Sequence, residues 1–255
     1  MRILLTNDDG IQAMGLRTMA DELRAKGHDI WIVAPDRQRS ASSHSISLHR
    51  DICVKQIAEQ EYSVDGTPVD CVVVALQKII GKQIDLVISG VNAGQNMGED
   101  ILYSGTVAAA TEAALLGYKA IAASICSYRD QLYQTSAHWI ARFIDLGLHH
   151  LIKNLEVYNI NFPNIPLEDI KGMRLTHTGH RRYYNFIKIT SEQEDGFCYQ
   201  IGGDEPVWET AKGTDAEAIA DGYMSITPLG FDLTRGEAFP AILEWLEDKQ
   251  LLKLN

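Results

Sequence analysis

The sequence predicts an α/β fold: a Rossmann-like, mostly parallel sheet flanked by helices, with a protruding β-hairpin arm and a C-terminal helix. Three observations carry that expectation. Apolar runs of strand length alternate with amphipathic stretches at helical spacing, the signature of a parallel sheet covered by helices. Several of these runs stop on polar loops that contain glycine, among them Asn7-Asp8-Asp9-Gly10 and the segment over 89–98. The last third changes character, with Asp195-Gly196 between two β-prone runs, a strong hairpin signal.

Ile3, Leu4 and Leu5 read as a buried parallel strand near the start of the chain. Leu16, Met19, Ala20 and Leu23 recur at helical spacing, so a helix is expected over 15–26 with Gly27 as its stop. A second strand follows over 28–33. This βαβ unit lacks the Gly-x-Gly-x-x-Gly fingerprint in its first turn, which argues against a bound dinucleotide. Residues 36–45 form a polar, serine-rich loop, and 46–54 with 61–64 suggest a small antiparallel excursion. A helix over 68–80 has Thr67 as N-cap and Pro68 at its first position.

A third core strand is expected over 85–90, and an alanine-rich helix over 107–116 with Gly117 as its C-terminal stop. Further strands fall over 119–125 and 156–161, with a long helix over 131–148 between them. A hairpin is expected with strands over 186–190 and 197–201, placing Ile187, Ile189, Phe197, Tyr199 and Ile201 on one face. Two strands alone are marginal in water, so that face must meet another surface. A strand over 223–227 and a helix over 240–252 complete the chain. The expected organisation is a single domain over 1–255, its core at about 1–180 and 213–235.

Composition narrows the function. With 255 residues the chain can bury one sizeable core, and 45% hydrophobic with 22% charged residues is ordinary for a globular protein. A formal net charge of −11 argues against a nucleic-acid duplex as partner, which calls for a basic face. A small anionic substrate stays open, because a bound cation reverses the local field. No apolar run reaches membrane-spanning length, and Asp8 and Asp9 interrupt any signal-peptide pattern. Cys53, Cys71, Cys126 and Cys198 form no Cys-x-x-Cys pair, which fits a reducing cytoplasm.

In an open α/β sheet ligands bind outside the carboxyl ends of the strands. Three loops are expected there, bearing Asp8 and Asp9, Ser40, and Asn92 and Asn96. Their donors are oxygens, which favour Mg²⁺, Mn²⁺ or Ca²⁺ over Zn²⁺ or Cu²⁺. Ser104-Gly105-Thr106 precedes a helix whose N-terminus offers free N–H groups, a setting for phosphate, although simple capping by Ser104 or Thr106 explains the same residues. A divalent ion beside such a turn suggests phosphoryl chemistry. His44 and His149-His150 read as solvated, capping or helix-dipole groups, His177-Thr178-Gly179-His180 as a loop, and Arg37 and Arg39 as local ion-pair partners.

The sequence resembles the SurE-type (survival protein E) nucleotidases. The likeness runs through Asn7-Asp8-Asp9-Gly10, Ala34-Pro35-Asp36-Arg37-x-Arg39-Ser40, Ser89-Gly90-x-Asn92-Ala93-Gly94-x-Asn96 and Tyr103-Ser104-Gly105-Thr106-Val107 with the alanines after it. Gly213-Thr214-Asp215 and Gly222-Tyr223-x-Ser225-Ile226-Thr227-Pro228-Leu229 extend it over nearly the whole chain. The resemblance implies a metal-dependent phosphatase acting on nucleoside 5′- and 3′-monophosphates. It places one divalent ion per subunit, Mg²⁺ or Mn²⁺, on Asp8, Asp9, Ser40 and Asn92. It puts Asn96, Ser104, Gly105 and Thr106 at the phosphate, with Asp8, Asp9 and Asn96 as the catalytic set. It also implies a homodimer or homotetramer joined through a hairpin arm, whose counterpart here is 181–203, and the C-terminal segment. Hydrolysis by activated water and transfer through an aspartyl-phosphate are both compatible with these residues. A non-catalytic nucleotide sensor could use the same cleft. A sugar-nucleotide glycosyltransferase, suggested by Gly27 to Pro35, would need a second Rossmann half that the last third does not supply.

Overall fold

A computed structural model describes residues 1–81, 83–184, 187–193, 195–201, 207–209 and 211–251. The chain opens as β1 (Arg2–Thr6), α1 (Met14–Ala25) and β2 (Asp29–Pro35), then β3 (Val54–Ala58), β4 (Glu61–Val64) and α2 (Pro68–Val74). It continues as β5 (Leu86–Ala93), α3 (Gly105–Leu115), β6 (Ala120–Ile125), α4 (Tyr133–Asp145) and β7 (Glu156–Phe162). Short strands β8 (Met173–Leu175) and β9 (Arg181–Arg182) lead to β10 (Ile187–Gln193), β11 (Gly196–Ile201) and β12 (Val207–Trp208). Last come α5 (Asp215–Ala220), β13 (Met224–Gly230) and α6 (Phe239–Asp248).

One nine-stranded sheet organises the fold, in the order β3-β4-β2-β1-β5-β6-β7-β13-β8. From β4 to β7 neighbours run parallel; β13 is antiparallel to β7, and β3 to β4. The chain winds outward from β1 through β2 to β4, then returns to the other side of β1 as β5 and proceeds to β7. The topological switch point therefore lies between β1 and β5, and ligands of open α/β sheets bind outside the carboxyl ends of the strands at such a point.

Side-chain alternation along β1 divides the core in two. Ile3 and Leu5 face α1 and α4, packing with Leu16, Met19, Leu23, Ile140 and Ile144. Leu4 faces α2 and α3, packing with Cys71, Val72, Ala109, Ala110 and Ala113. Each large aliphatic side chain removed from water contributes about 1.5–3 kcal/mol. Along α3 every residue from Gly105 to Thr111 is buried, and its small side chains let the helix axis approach the sheet closely.

Several sequence expectations change. The excursion strand expected over 46–54 instead lies at Val54–Ala58, and it belongs to the main sheet because β4 pairs in parallel with β2. The helix over 68–80 is α-helical only to Val74, and Ala75–Ile79 widens to a π-turn closed by Ile80 N–H on Ala75 O at 2.9 Å. Thr67 caps it as expected, reciprocally with Asp70. Helix α5 and the reversal of β13 were not anticipated. The arm pairs Ile187 with Ile201 and Ile189 with Tyr199; Asn185, Phe186, Glu194 and residues 202–203 of the expected arm, and Leu252 of the C-terminal helix, lie outside the described residues. Among the described residues no helix is long and apolar enough to cross a membrane.

Candidate active site at the switch point

The loop after β1 is shaped by Asn7 and Gly10. Asn7 is fully buried, donates to Gly10 O at 2.9 Å and accepts from Gly10 N–H at 3.2 Å. This closed turn needs a left-handed Gly10, whose φ is +100°. A Cβ there would also meet Arg37 backbone at 3.0 Å. Asp8 and Asp9 are thus held at the carboxyl end of β1 by side-chain-to-backbone bonds on one side and close backbone packing on the other.

Asp8 is buried, and its Oδ1 accepts the Thr106 hydroxyl at 2.5 Å. Asp9 is half-buried, and its Oδ2 accepts from Ala93 N–H at 3.1 Å. One carboxylate is therefore tied to α3 and the other to the end of β5. Burial pushes the Asp8 carboxyl up to about 6; the Thr106 bond opposes this and the Asp9 charge adds to it. Burial also raises Asp9. Tyr133, at the start of α4, is pushed up to about 12 by burial and by the Asp9 charge.

The β5 end is irregular. Its register against β6 slips between Ser89 and Asn92, with Gly90 at φ +127°, and this bulge re-aims the residues that follow. Asn92 donates Nδ2 to Gly94 O at 2.7 Å, which leaves Oδ1 as the amide's free ligating atom. The serine-rich loop is anchored beside β1, because Arg39 N–H donates to Asp8 O at 2.7 Å. Ser40, the next residue, is exposed, with Oγ accepting from Gln38 Nε2 at 2.8 Å.

The residues expected at the phosphate divide. Gly105 sits against Asp8: a Cβ on it would lie 2.9 Å from Asp8 Oδ2. Ser104 caps α3, its Oγ accepting from Val107 N–H at 3.0 Å, and Thr106 spends its hydroxyl hydrogen on Asp8. Asn96 is buried, and its Nδ2 donates to Ser124 Oγ on β6 at 2.8 Å. Its backbone is clamped from β7: Asn159 and Asn161 donate to Asn96 O at 2.8 and 3.0 Å, and Asn96 N–H donates to Asn161 Oδ1 at 2.9 Å.

Sequence reasoning missed that clamp. Its signal was present as two fully buried asparagines at alternate positions in an otherwise apolar strand. Asp215 was likewise overlooked as a positioning residue. It is fully buried and accepts from Gly98 N–H and Gly179 N–H, both at 2.9 Å, so it fastens the loop after Asn96 to the C-terminal part.

The histidines lie in other contacts. His44 Nε2 meets Glu112 at 2.8 Å, and His180 Nδ1 meets Glu99 at 2.5 Å. Burial pulls the His149 imidazole down, which disfavours its charged form. Arg37 and Arg39 both pair with Asp36. A cavity of about 670 Å³ opens at the opposite edge of the sheet, lined by Asp85, Lys119, His149 and His150 among others, away from these donors.

The donor set fits a hard divalent ion. Asp8 and Asp9 are adjacent, both are disfavoured as anions by burial, and a cation between them relieves both costs. Among the described residues no three His, Cys, Asp or Glu gather as a metal cluster, so serine and asparagine oxygens are needed to complete a shell.

Fold and site together define a doubly wound α/β protein with an oxygen-donor pocket and a helix N-terminus at its switch point. The chain belongs to the SurE family: the model described as Survival protein SurE matches residues 3–185. It is 41% identical to the 5′-nucleotidase SurE of Carboxydothermus hydrogenoformans over 97% of each chain. It is also 41% identical to that of Haemophilus influenzae (strain PittGG), over 98% of this chain and 99% of the relative. The crystal structure of the SurE protein from Aquifex aeolicus superposes with a TM-score of 0.86 at 36% identity, covering 97% of this chain and all of that one.

Proposed function

We propose that this protein is a metal-dependent phosphatase that hydrolyses nucleoside 5′- and 3′-monophosphates to nucleoside and phosphate. The observation that carries the reading is the convergence of a buried acidic pair with the N-terminus of α3 at the switch point of the sheet. Full-length likeness to relatives named 5′-nucleotidase supports the substrate class.

Asp8, Asp9, Ser40 and Asn92 would hold one Mg²⁺ or Mn²⁺ ion. When bound, that ion supplies Lewis-acid polarisation of the phosphoryl oxygens and acidifies water. The chain's own residues do the rest. Thr106 fixes the rotamer of Asp8 through its 2.5 Å bond, and Ala93 N–H fixes Asp9. The N–H groups of Gly105 and Thr106, in the first turn of α3, have no intrahelical acceptors and face charge developing on the equatorial oxygens. Asp9 is less buried than Asp8 and carries no hydroxyl bond, so it is the better placed to take a proton from attacking water.

A second copy of the chain is the proposed cover for the arm. Ile187, Ile189, Phe197, Tyr199 and Ile201 are all exposed, as are Ile242 and Trp245 on α6. Exposed apolar side chains in this number are characteristic of an interface. Free cysteines throughout suit a cytoplasmic enzyme.

The test is phosphate release from AMP and GMP with Mn²⁺, with Mg²⁺ and with chelator. Release that needs the ion is expected. Saturable nucleotide binding without release would replace the enzyme with a sensor.

A further inference from the structure

We propose that Ser42 is a phosphate-binding residue of this site, its hydroxyl donating to a non-bridging oxygen of the phosphoryl group above Gly105. The inference rests on the phosphatase reading and adds a residue to it.

Ser42 Oγ is shielded from solvent and has no hydrogen-bond partner among the described residues. A buried hydroxyl without a partner is unfavourable unless a ligand completes it. Its place is defined by Gly105: a Cβ built there would lie 2.6 Å from Ser42 Oγ and 2.9 Å from Asp8 Oδ2. Both oxygens thus lie close against the first residue of α3. Only a residue without a side chain at 105 lets them approach so closely.

The backbone around Ser42 is arranged to present it. Ala41 and Ser43 both take left-handed conformations, at φ +54° and +50°, which non-glycine residues adopt rarely. Ser43 N–H donates to Tyr103 O at 3.0 Å, tying the loop to the residue before the α3 N-cap. Paired outliers on either side of an unpartnered hydroxyl point to a functional constraint.

The ligand that this end of α3 suits is an anion. The positive end of α3 and its unbonded N–H groups disfavour a cation directly above Gly105 and favour phosphate oxygens. Of the other side-chain donors expected there, Thr106 spends its hydroxyl hydrogen on Asp8 and Asn96 commits one of its two Nδ2 hydrogens to Ser124. Ser42 adds a donor beside those that remain, the Ser104 hydroxyl among them.

Calorimetric titration of inorganic phosphate into the Mn²⁺-saturated protein tests this, comparing wild type with Ser42→Ala. Loss of one hydrogen bond to a charged group should weaken phosphate about tenfold. Mn²⁺ affinity measured without phosphate should be unchanged, and KM for AMP should rise more than kcat falls. Ser42→Gly is the second variant, should alanine disturb the loop. Unchanged phosphate affinity in a folded variant overturns the proposal. So does a loss confined to Mn²⁺ affinity, which would make Ser42 an ion ligand, and so does a wild type that binds no phosphate. Weakened phosphate binding in a protein that turns over no nucleotide would leave Ser42 assigned and sink the phosphatase reading alone.

Discussion

Thr106 donates its hydroxyl to Asp8 Oδ1 at 2.5 Å, joining the first turn of α3 to the end of β1. The bond favours the ionised carboxylate against the burial that raises it to about 6. Thr106→Val should therefore push Asp8 higher and weaken Mn²⁺ binding near neutrality by roughly tenfold, while Thr106→Ser keeps wild-type affinity. Mn²⁺ titrations between about pH 5.5 and 8 would show the binding curve of the valine variant displaced to higher pH. Superimposable curves would show that the hydroxyl does not tune Asp8.

The same carboxylate couples stability to pH in the metal-free protein. A raised folded-state value means that the folded chain binds the extra proton, so Asp8 favours folding most below its ordinary value of 3.8. That stability is lost as pH rises through about 6, and the loss at neutrality is on the order of 3 kcal/mol. Asp8→Asn should accordingly melt above wild type at pH 7 without metal and level with it near pH 4. Mn²⁺ should raise the wild-type melting temperature and leave the variant where it was.

Activity should move the opposite way. Asp8→Asn and Asp9→Asn each remove an ion ligand from a site whose amide and hydroxyl donors cannot replace the charge, so turnover of AMP should fall roughly a hundredfold or more. Circular dichroism should show an intact fold. Near-wild-type turnover in either variant would remove the acidic pair from the chemistry.

Much of this architecture was legible in the sequence because its signals are local. Ile3, Leu4 and Leu5 marked β1, Leu16 to Leu23 marked α1, and Thr67-Pro68 marked the start of α2, each through periodicity or capping within a few residues. Asp8 and Asp9 were legible because adjacent carboxylates after a buried strand need a partner. What escaped depends on contacts distant in sequence. That Asn96 bonds Ser124 and is clamped from β7 is decided by the register of β5, β6 and β7, which no single segment encodes. Asp215 acts through bonds to Gly98 and Gly179, and the reversal of β13 follows from how the chain returns to the sheet. Val54–Ala58 was misplaced because an exposed edge strand has no apolar alternation to reveal it.

The asparagine clamp on Asn96 gives a sharper test of positioning. Asn161 exchanges two bonds with the Asn96 backbone, and both groups are buried. Asn161→Leu leaves the Asn96 N–H without its acceptor and removes one of two donors to its carbonyl. A destabilisation of about 2–3 kcal/mol is expected by chemical denaturation. Turnover should drop as well, since the segment between Asn92 and Asn96 loses its anchor. Asn161→Asp, which keeps the acceptor but not the donor, should be intermediate.

The arm makes the last prediction. Ile189 and Tyr199 are directly paired across β10 and β11 and are 49% and 58% exposed, with Ile187 opposite Ile201 beside them. A two-stranded ribbon with this much apolar surface is marginal in water by itself. If a second copy covers it, sedimentation velocity should find a dimer or tetramer in the wild type, and paired Ile189→Asp and Tyr199→Lys changes should shift the protein toward monomer. Because Asp8, Asp9 and Asn92 bond to Thr106, Ala93 and Gly94 and not to the arm, Mn²⁺ affinity per chain should stay within about twofold of wild type. A monomeric wild type at micromolar concentration would mean that something other than this chain covers the arm.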